Sequence, residues 1–356
     1  MIKATSKKNN KLAVWAITPK GADLAAKLAK GLQNTDLHLS ANLKKPPAPS
    51  STFNKLSDAL QNCFNRYHGH IFIMSSGIVV RLIAPLIKSK INDPAVVVVD
   101  EIGRHAISLL SGHIGGANDL AKKIARFIGA EPVITTATDA NDLPAIDVLA
   151  QKNDLFIENP GAIKSINMAL LTGQKINIHD PLGILSNTLS ISNLLINSGS
   201  EEKQFDKNTP GIYIDDQKVD LWPNILVLRP RTLVAGIGCN RNTTMEEMRL
   251  FLGETLNRFS LAPGSLACIA SIDLKKDEPG LTALAKELEL PLRFFDKKEL
   301  NRVKNIKTPS DMVEKHTGVK SVCEAAAILA AKQGKLIVPK QTTRNVTVAI
   351  AGISSM

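Results

Sequence analysis

A run of five apolar residues, AVVVV at Ala95–Val99, constrains the fold of this chain more than any other stretch. A continuous β-branched run is typical of a strand that is buried on both faces. Farther along, NDLAKKIARFIG at 118–129 places its apolar residues at helical spacing. Similar strand-like and helix-like segments alternate along much of the chain, so the sequence predicts an α/β fold with mostly parallel sheets.

The alternation predicts two βα-built domains joined by a variable middle segment. Residues 1–141 form the first domain, and residues 232–356 form the second, where a new series of strands and helices begins. Between them, the sequence pattern of residues 142–231 predicts a less regular, loop-bearing segment. Its Asn- and Ser-rich stretch, 186–208, is typical of a surface loop.

Charge and composition exclude some classes of function. The net charge is +11, but it divides into +7 for residues 1–50, −2 for 51–229 and +6 for 230–356, and aromatic residues make up 4%. We therefore expect no nucleic-acid partner, because such a protein needs a contiguous basic face or aromatic stacking platforms. A basic chain can instead steer a small polyanionic substrate.

Membrane and secreted proteins are also disfavoured. No apolar run approaches the roughly 20 residues of a membrane span, and the N-terminal stretch MIKATSKKNNK is not a signal peptide. The four cysteines include no CxxC pair, so neither a disulfide framework nor a zinc site is expected. These features predict a cytoplasmic location and no membrane partner.

The segment richest in reactive side chains is DEIGRHAISLLSGHIGGAN, Asp100–Asn118. Its two histidines, His105 and His113, flank AISLL, and their even spacing would place them on one face of a continuous strand. Either imidazole is a candidate general base, oriented by Asp100 or Glu101. The alternatives are buried or capping histidines, and a His/His/carboxylate metal site whose spacing matches no known pattern.

Four glycine-containing loops are expected at the carboxyl ends of strands, where open α/β sheets bind ligands. They are residues 75–81, the segment 100–118, residues 236–244 and residues 271–280. In SGHIGGAN the glycines precede a helix, so its free N–H groups would face an anion; the alternative is a tight turn capped by Asn118. The candidate substrate-binding residues in these loops are Gly77, Arg81, Ser111, Gly112, Gly115, Gly116, Asn118, Gly236, Gly238, Lys275 and Glu278.

Two of these loops leave alternatives open. Arg81 suits a fixed contact with a carboxylate, or it is an ordinary surface arginine. Lys275 with Glu278 nearby would contact a substrate carboxylate, or the charges of LKKDE form a polar turn that compensates itself. GIGCNR lacks the full dinucleotide spacing, so no nucleotide cofactor is expected.

Taken together, seven segments resemble the CbiG proteins of anaerobic cobalamin biosynthesis. They are SSGIVVRLIAP, VVVVDEIGRHAISLLSGHIGGANDLA, ITTATD, VAGIGCNR, SIDLKKDEPGL, SVCEAAAILAA and LIVPKQTTRNVTVAIAG. The resemblance covers about residues 10–355, and residues 142–231 are its least diagnostic part.

The resemblance implies hydrolysis of a cobalt-precorrin-5A, in which a δ-lactone between the ring A acetate and C20 opens and acetaldehyde leaves. The partner is then a polyanionic cobalt tetrapyrrole, and the cobalt belongs to this substrate, so no protein cofactor or metal site is expected. From the chemistry, we expect the base to be among Glu101, His105 and His113. A non-catalytic tetrapyrrole carrier is the alternative, and a homodimer or transient contact with neighbouring pathway enzymes stays open.

Overall fold

The computed structural model describes residues 11–43, 45–89, 92–141, 143, 145–185, 195–198, 205–304, 306–310, 314–315 and 318–353. Within these residues the chain forms two compact units. One unit runs to Gln151 and takes in Leu170–Gly173, and the other comprises Lys152–Ala169 and the chain from Gln174 onward. No helix of the described residues is both long and apolar enough to cross a membrane.

The first unit contains one seven-stranded sheet in the order β3-β2-β1-β4-β5-β6-β7. Its strands are β1 (Leu12–Ala16), β2 (Thr35–Ser40), β3 (Ser51–Phe53), β4 (Gly69–Ile73), β5 (Ala95–Val99), β6 (His105–Leu110) and β7 (Glu131–Val133). Its helices are α1 (Pro19–Gly31), α2 (Leu56–Cys63), α3 (Ser76–Ile83), α4 (Ala117–Ile128), α5 (Ala137–Ala140) and α6 (Ile146–Lys152).

Strand β5 is buried at all five residues, which confirms the prediction from AVVVV. Val97 and Val99 pack in the core that contains α1 and α4. Val96 and Val98 pack on the other face, in the core that contains Trp15 and residues of α2 and α3. Helices therefore cover both faces of the sheet, as the continuous apolar run requires.

Strand direction changes at β6. Strands β1 to β5 run parallel, whereas β6 pairs antiparallel with β5, with Ala106 opposite Val99, and β7 runs parallel to β6. The carboxyl ends of β6 and β7 therefore lie at the opposite edge of the sheet from the carboxyl ends of β1, β4 and β5. This reversal decides which loops share an edge.

The middle of the chain is more regular than the sequence predicted. It holds a five-stranded sheet in the order β10-β9-β11-β12-β8, parallel except for β8. The elements are β8 (Phe156–Ile157), α7 (Ile163–Leu171), β9 (Ile176–His179), β10 (Leu195–Ser198), β11 (Gly211–Ile214) and β12 (Ile225–Arg229). Of the predicted loop 186–208, β10 is a strand, and residues 186–194 and 199–204 lie outside the described residues.

The C-terminal part forms a second five-stranded sheet in the order β15-β14-β13-β17-β16. Its elements are β13 (Leu233–Cys239), α8 (Met245–Arg258), β14 (Leu266–Ile272), α9 (Pro279–Glu287), β15 (Leu292–Phe295), α10 (Lys297–Asn301), α11 (Val322–Ala330), β16 (Leu336–Thr342) and β17 (Val346–Gly352). Strands β13, β14 and β15 are parallel, and β17 is antiparallel to β13. Mostly parallel α/β sheets are therefore confirmed.

Candidate functional site

The structure separates the two predicted histidines. His105 begins β6, beside the end of β5, whereas His113 follows the other end of β6, about 17 Å away along the strand. The strand stops at Leu110 because Ser111 adopts a left-handed conformation, with φ of 58°. The expectation of one continuous strand with both histidines on one face is therefore wrong, and the pair cannot share a metal ion.

His113 lies in a polar cluster at the carboxyl ends of β6 and β7. We name the His113 cluster after its members Ser111, His113, Asn118, Asp139 and Asp147. The Nε2 atom of His113 is 3.1 Å from Asp139 Oδ2, and its Nδ1 atom is 3.7 Å from Asp147 Oδ2. The imidazole side chain is 19% exposed, so a ligand can reach it.

Asp139 is held in its ionised form. Burial raises the pKa of this carboxyl group, but hydrogen bonds from Lys122, Thr136 and His113, with the charge of Lys122, lower the pKa to about 2. An ionised Asp139 only accepts hydrogen bonds, so His113 donates from Nε2, and in the neutral imidazole the other nitrogen, Nδ1, is then the acceptor. Among the described residues no donor bonds to Nδ1, which leaves this atom able to accept a proton.

The glycines of SGHIGGAN close the loop around this cluster. A Cβ atom on Gly112 would lie 2.8 Å from Oδ1 of Asn118, and one on Gly115 would lie 2.3 Å from Cβ of Ser111. Gly116, with φ of 83°, precedes the first turn of α4. Gly112 and Gly115 are needed because neighbouring atoms leave no room for a side chain, and Gly116 because its backbone is left-handed.

Two expectations for this loop are wrong. The N–H groups of Ala117 and Asn118 donate to the carbonyls of Ser111 and Gly112, each at 3.0 Å, so they are not free for an anion. Asn118 does not cap the helix either, because Gly116 occupies that position. Its side chain instead accepts from Ser108 and donates to Thr136 and Asp139. The loop is built to hold Asp139 and His113.

Two buried oxygens of the cluster have no hydrogen-bond partner among the described residues. They are Oγ of Ser111 and Oδ1 of Asp147. Asp147 is only 5% exposed, and buried polar atoms of folded proteins are rarely left unsatisfied. The Asp147 carboxylate also faces the imidazole through Oδ2, so its unpaired oxygen is a candidate position for a water or a ligand group.

The opposite edge of the sheet holds a second histidine–aspartate pair. Nδ1 of His105 is 3.1 Å from Oδ2 of Asp100. Burial raises the pKa of Asp100, but backbone N–H groups of Arg104 and His105 outweigh it and hold the pKa below its ordinary value. Beside this pair, the Thr18 hydroxyl donates to Glu101 Oε1 at 2.6 Å. The structure thus brings Glu101 and His105 to one edge.

Gly77 and Arg81 lie at this same edge, in the first turns of α3. Both are exposed, and the Arg81 guanidinium donates to the Gly77 carbonyl at 2.8 Å. No carboxylate in the described part of the chain forms an ion pair with Arg81. This edge includes the neighbouring ends of β1 and β4, where the strand order reverses, and such points are common ligand sites.

In the second unit, the loops after β13 and β14 are joined by charge pairs. Arg241 pairs with Asp277 at 2.8 Å, and Lys275 Nζ lies 3.6 Å from Oε2 of Glu278. Glu278 is 1% exposed and accepts from the Asn242 backbone. These contacts favour the self-compensating polar turn. A cavity of about 400 Å³ adjoins it, lined by Asn242, Thr243, Thr244, Met245, Glu278, Pro279, Gly280 and Ala283.

Gly236 and Gly238 lie within β13, which corrects the expectation that they belong to a loop. A Cβ atom on Gly236 would lie 1.9 Å from the Cys323 carbonyl of α11, and one on Gly238 would lie 2.6 Å from Oγ1 of Thr347. Gly236 is buried beneath that helix. Both glycines therefore serve close packing of the sheet.

Sequence reasoning missed Asp139 and Asp147 as members of the site. The segment ITTATD contains Asp139, but its residue pattern alone does not indicate a catalytic or binding role. Asp147 fell in the predicted middle segment, whereas the first compact unit extends to Gln151. Among the described residues, no group of three or more His, Cys, Asp or Glu side chains has the geometry of a metal site.

Comparison with known proteins covers most of the chain. Residues 58–139, 144–230 and 233–351 match, in turn, the cobalamin synthesis G N-terminal, central and C-terminal families. The cobalt-precorrin-5A hydrolase of Priestia megaterium is 31% identical over 95% of this chain and 94% of its own length. The cobalt-precorrin-5A hydrolase of Salmonella typhimurium is 34% identical over 96% of this chain and 98% of its own length. The chain therefore belongs to the cobalamin synthesis G (CbiG) family.

Proposed function

We propose that this chain is a cobalt-precorrin-5A hydrolase of cobalamin biosynthesis. The observation that carries the proposal is the match, over nearly the whole of both chains, to two curated relatives with this name. The arrangement of the His113 cluster supports it, because hydrolysis needs an oriented base next to a place for water. The substrate is a polyanionic cobalt tetrapyrrole, which the positive net charge of the chain would attract.

The reaction has two stages. Water adds to the carbonyl carbon of the δ-lactone, and the acyl–oxygen bond to C20 breaks, which leaves a ring A acetate and a C20 hydroxyl. A base then removes the proton of this hydroxyl as the carbon–carbon bond breaks. The two-carbon fragment leaves as acetaldehyde, and the cobalt macrocycle accepts the electron pair. The cobalt is part of the substrate, so we propose no protein cofactor.

We assign the base to His113. Asp139 accepts the Nε2–H of this imidazole, which orients the ring and stabilises the imidazolium that forms when Nδ1 takes a proton. His105 also has a carboxylate partner, Asp100, but its side chain is 47% exposed, and no second acid of the described residues pairs with the ring. The partly buried His113 is better shielded from bulk water, so its interactions with charge are stronger.

The test is incubation of the purified protein with cobalt-precorrin-5A, with detection of acetaldehyde and of cobalt-precorrin-5B. We expect stoichiometric amounts of the two products. Tight binding of the substrate by folded protein without acetaldehyde would overturn the proposal and favour a tetrapyrrole carrier. Comparison of His113→Ala with wild type then tests the assigned base.

A further inference from the structure

Asp147 faces His113 across a gap too wide for a direct hydrogen bond. Its Oδ2 lies 3.7 Å from Nδ1 of His113, whereas hydrogen-bonded N···O pairs lie at about 2.7–3.2 Å. Polar atoms separated by more than about 3.5 Å are often bridged by water. A water about 2.8 Å from both atoms fits this spacing and can donate one O–H to each.

The burial of Asp147 favours a bound water beside its carboxylate. The residue is 5% exposed, and its Oδ1 has no hydrogen-bond partner in the described part of the chain. An ionised carboxylate in this position is costly unless donors or a positive charge face it. Among the described residues, His113 is the one basic group within 4 Å of this carboxylate. A water that donates to Oδ2 of Asp147 gives this buried carboxylate a donor and also lies next to His113.

Asp139 is not available for the same task. Its two oxygens already accept hydrogen bonds from Lys122, Asn118, Thr136 and His113. It orients the ring from the Nε2 side through Oδ2, which already accepts three of these hydrogen bonds. The two acids on either side of His113 thus have different roles.

We propose that Asp147 is a catalytic residue that holds, together with His113, the water that attacks the lactone. This inference rests on the proposed function. As the water oxygen bonds to the lactone carbonyl carbon, one of its protons moves to Nδ1 of His113, while the other is donated to Asp147 Oδ2. When the acyl–oxygen bond breaks, the proton on His113 moves to the departing C20 oxygen. The water is thereby divided between the new carboxyl group and the new hydroxyl.

A kinetic experiment tests the role with a matched control. Asp147→Asn keeps the size of the side chain but removes its negative charge, so we expect kcat for acetaldehyde release to fall by roughly 10–100-fold with KM little changed. The control is Asp93→Asn. Asp93 is 3% exposed and accepts the backbone N–H groups of Lys88 and Ser89. This control should lose stability but keep kcat.

A double variant separates catalysis from structural support. If Asp147 acts on the same water as His113, Asp147→Asn should add little to the loss already caused by His113→Ala. Losses that multiply, or a kcat of Asp147→Asn within about twofold of wild type, would overturn the inference. Thermal unfolding of each variant reports whether it is folded.

A structural measurement makes the inference independent of activity. A high-resolution crystal structure of the wild-type protein without substrate should contain an ordered water within about 3.2 Å of both Nδ1 of His113 and Oδ2 of Asp147. A gap without water would overturn the inference even if acetaldehyde is produced. Wild-type protein that binds this water but releases no acetaldehyde would instead contradict the proposed function.

Discussion

His113 and Asp139 are joined by a hydrogen bond of 3.1 Å between Nε2 and Oδ2, which links the loop after β6 to α5, the helix that follows β7. The two residues lie 26 positions apart in the sequence. They meet because β6 and β7 are adjacent and parallel, so their carboxyl ends open at one edge. One pair thus holds an imidazole in a fixed orientation at the end of the sheet.

The first prediction compares the two edges of the sheet. We expect His113→Ala to lower the rate of acetaldehyde release by roughly 10²–10⁴-fold, which is the usual contribution of a general base. His105→Ala, at the opposite edge, should cause a loss at least tenfold smaller. The measurement is kcat with cobalt-precorrin-5A for both variants in parallel. The reverse order of the two losses would move the base to the Glu101 and His105 edge.

The second prediction concerns acid stability and Asp139. The pKa of this carboxyl group is lowered to about 2 from an ordinary value of 3.8. A lowered pKa stabilises the folded state above the ordinary pKa, and this stabilisation is lost as the pH falls through the folded value. At neutral pH it amounts to no more than about 2 kcal/mol, because water partly screens the pair.

Chemical denaturation at several pH values measures the stabilisation that Asp139 contributes. Asp139→Asn should be less stable than wild type at pH 7, and the difference should disappear between about pH 4 and pH 2. The exposed Asp23 offers a control, since Asp23→Asn should change the free energy of unfolding by less than about 0.5 kcal/mol. A deficit of Asp139→Asn that stays constant down to pH 2 would contradict the interpretation.

The direction of β6 shows what sequence patterns can and cannot predict. The apolar pattern of AVVVV correctly predicted a buried strand, but such a pattern does not state the direction of the next strand. A useful signal was nevertheless present. Only residues 100–104 separate β5 from β6, whereas a parallel crossover needs about a dozen residues or more. The short connection therefore favours an antiparallel pair, which places His105 and His113 at opposite edges of the sheet.

The acids of the His113 cluster were harder to predict. Asp139 and Asp147 are far from His113 in sequence, and their proximity depends on how β7 and α6 pack against the loop. Periodicity describes one element at a time and contains no information on such contacts. The role of Gly236 could not be predicted for a related reason. The sequence around Gly236 is typical of a ligand-binding loop, but the residue that requires a glycine there, Cys323, lies on a helix far along the chain.

The third prediction tests the packing role of Gly236. A Cβ atom at this position would lie 1.9 Å from the Cys323 carbonyl, so Gly236→Ala must displace α11 from the sheet. We expect a loss of about 1–3 kcal/mol in the free energy of unfolding, the usual cost of overpacking.

Gly253, inside α8, is the matched control because a Cβ atom there meets nothing within 4 Å. Gly253→Ala should stabilise the protein by roughly 0.5–1 kcal/mol. Urea denaturation measures the free energy of unfolding of both variants. Equal changes in this free energy for the two variants would refute the packing role of Gly236.

The fourth prediction concerns Arg229, which is 1% exposed at the end of β12. Its guanidinium donates to the Glu158 carboxylate and to the backbone carbonyls of Asp215 and Gln217. Arg229→Met keeps much of the volume but leaves both carbonyls without this donor, so we expect a loss of about 3 kcal/mol in the free energy of unfolding. Glu158→Gln is the control. The Glu158 side chain is 43% exposed, and its change should cost less than about 1 kcal/mol. Denaturation curves that show equal losses for the two variants would mean that the ion pair, and not the carbonyl contacts, is the main contribution of Arg229.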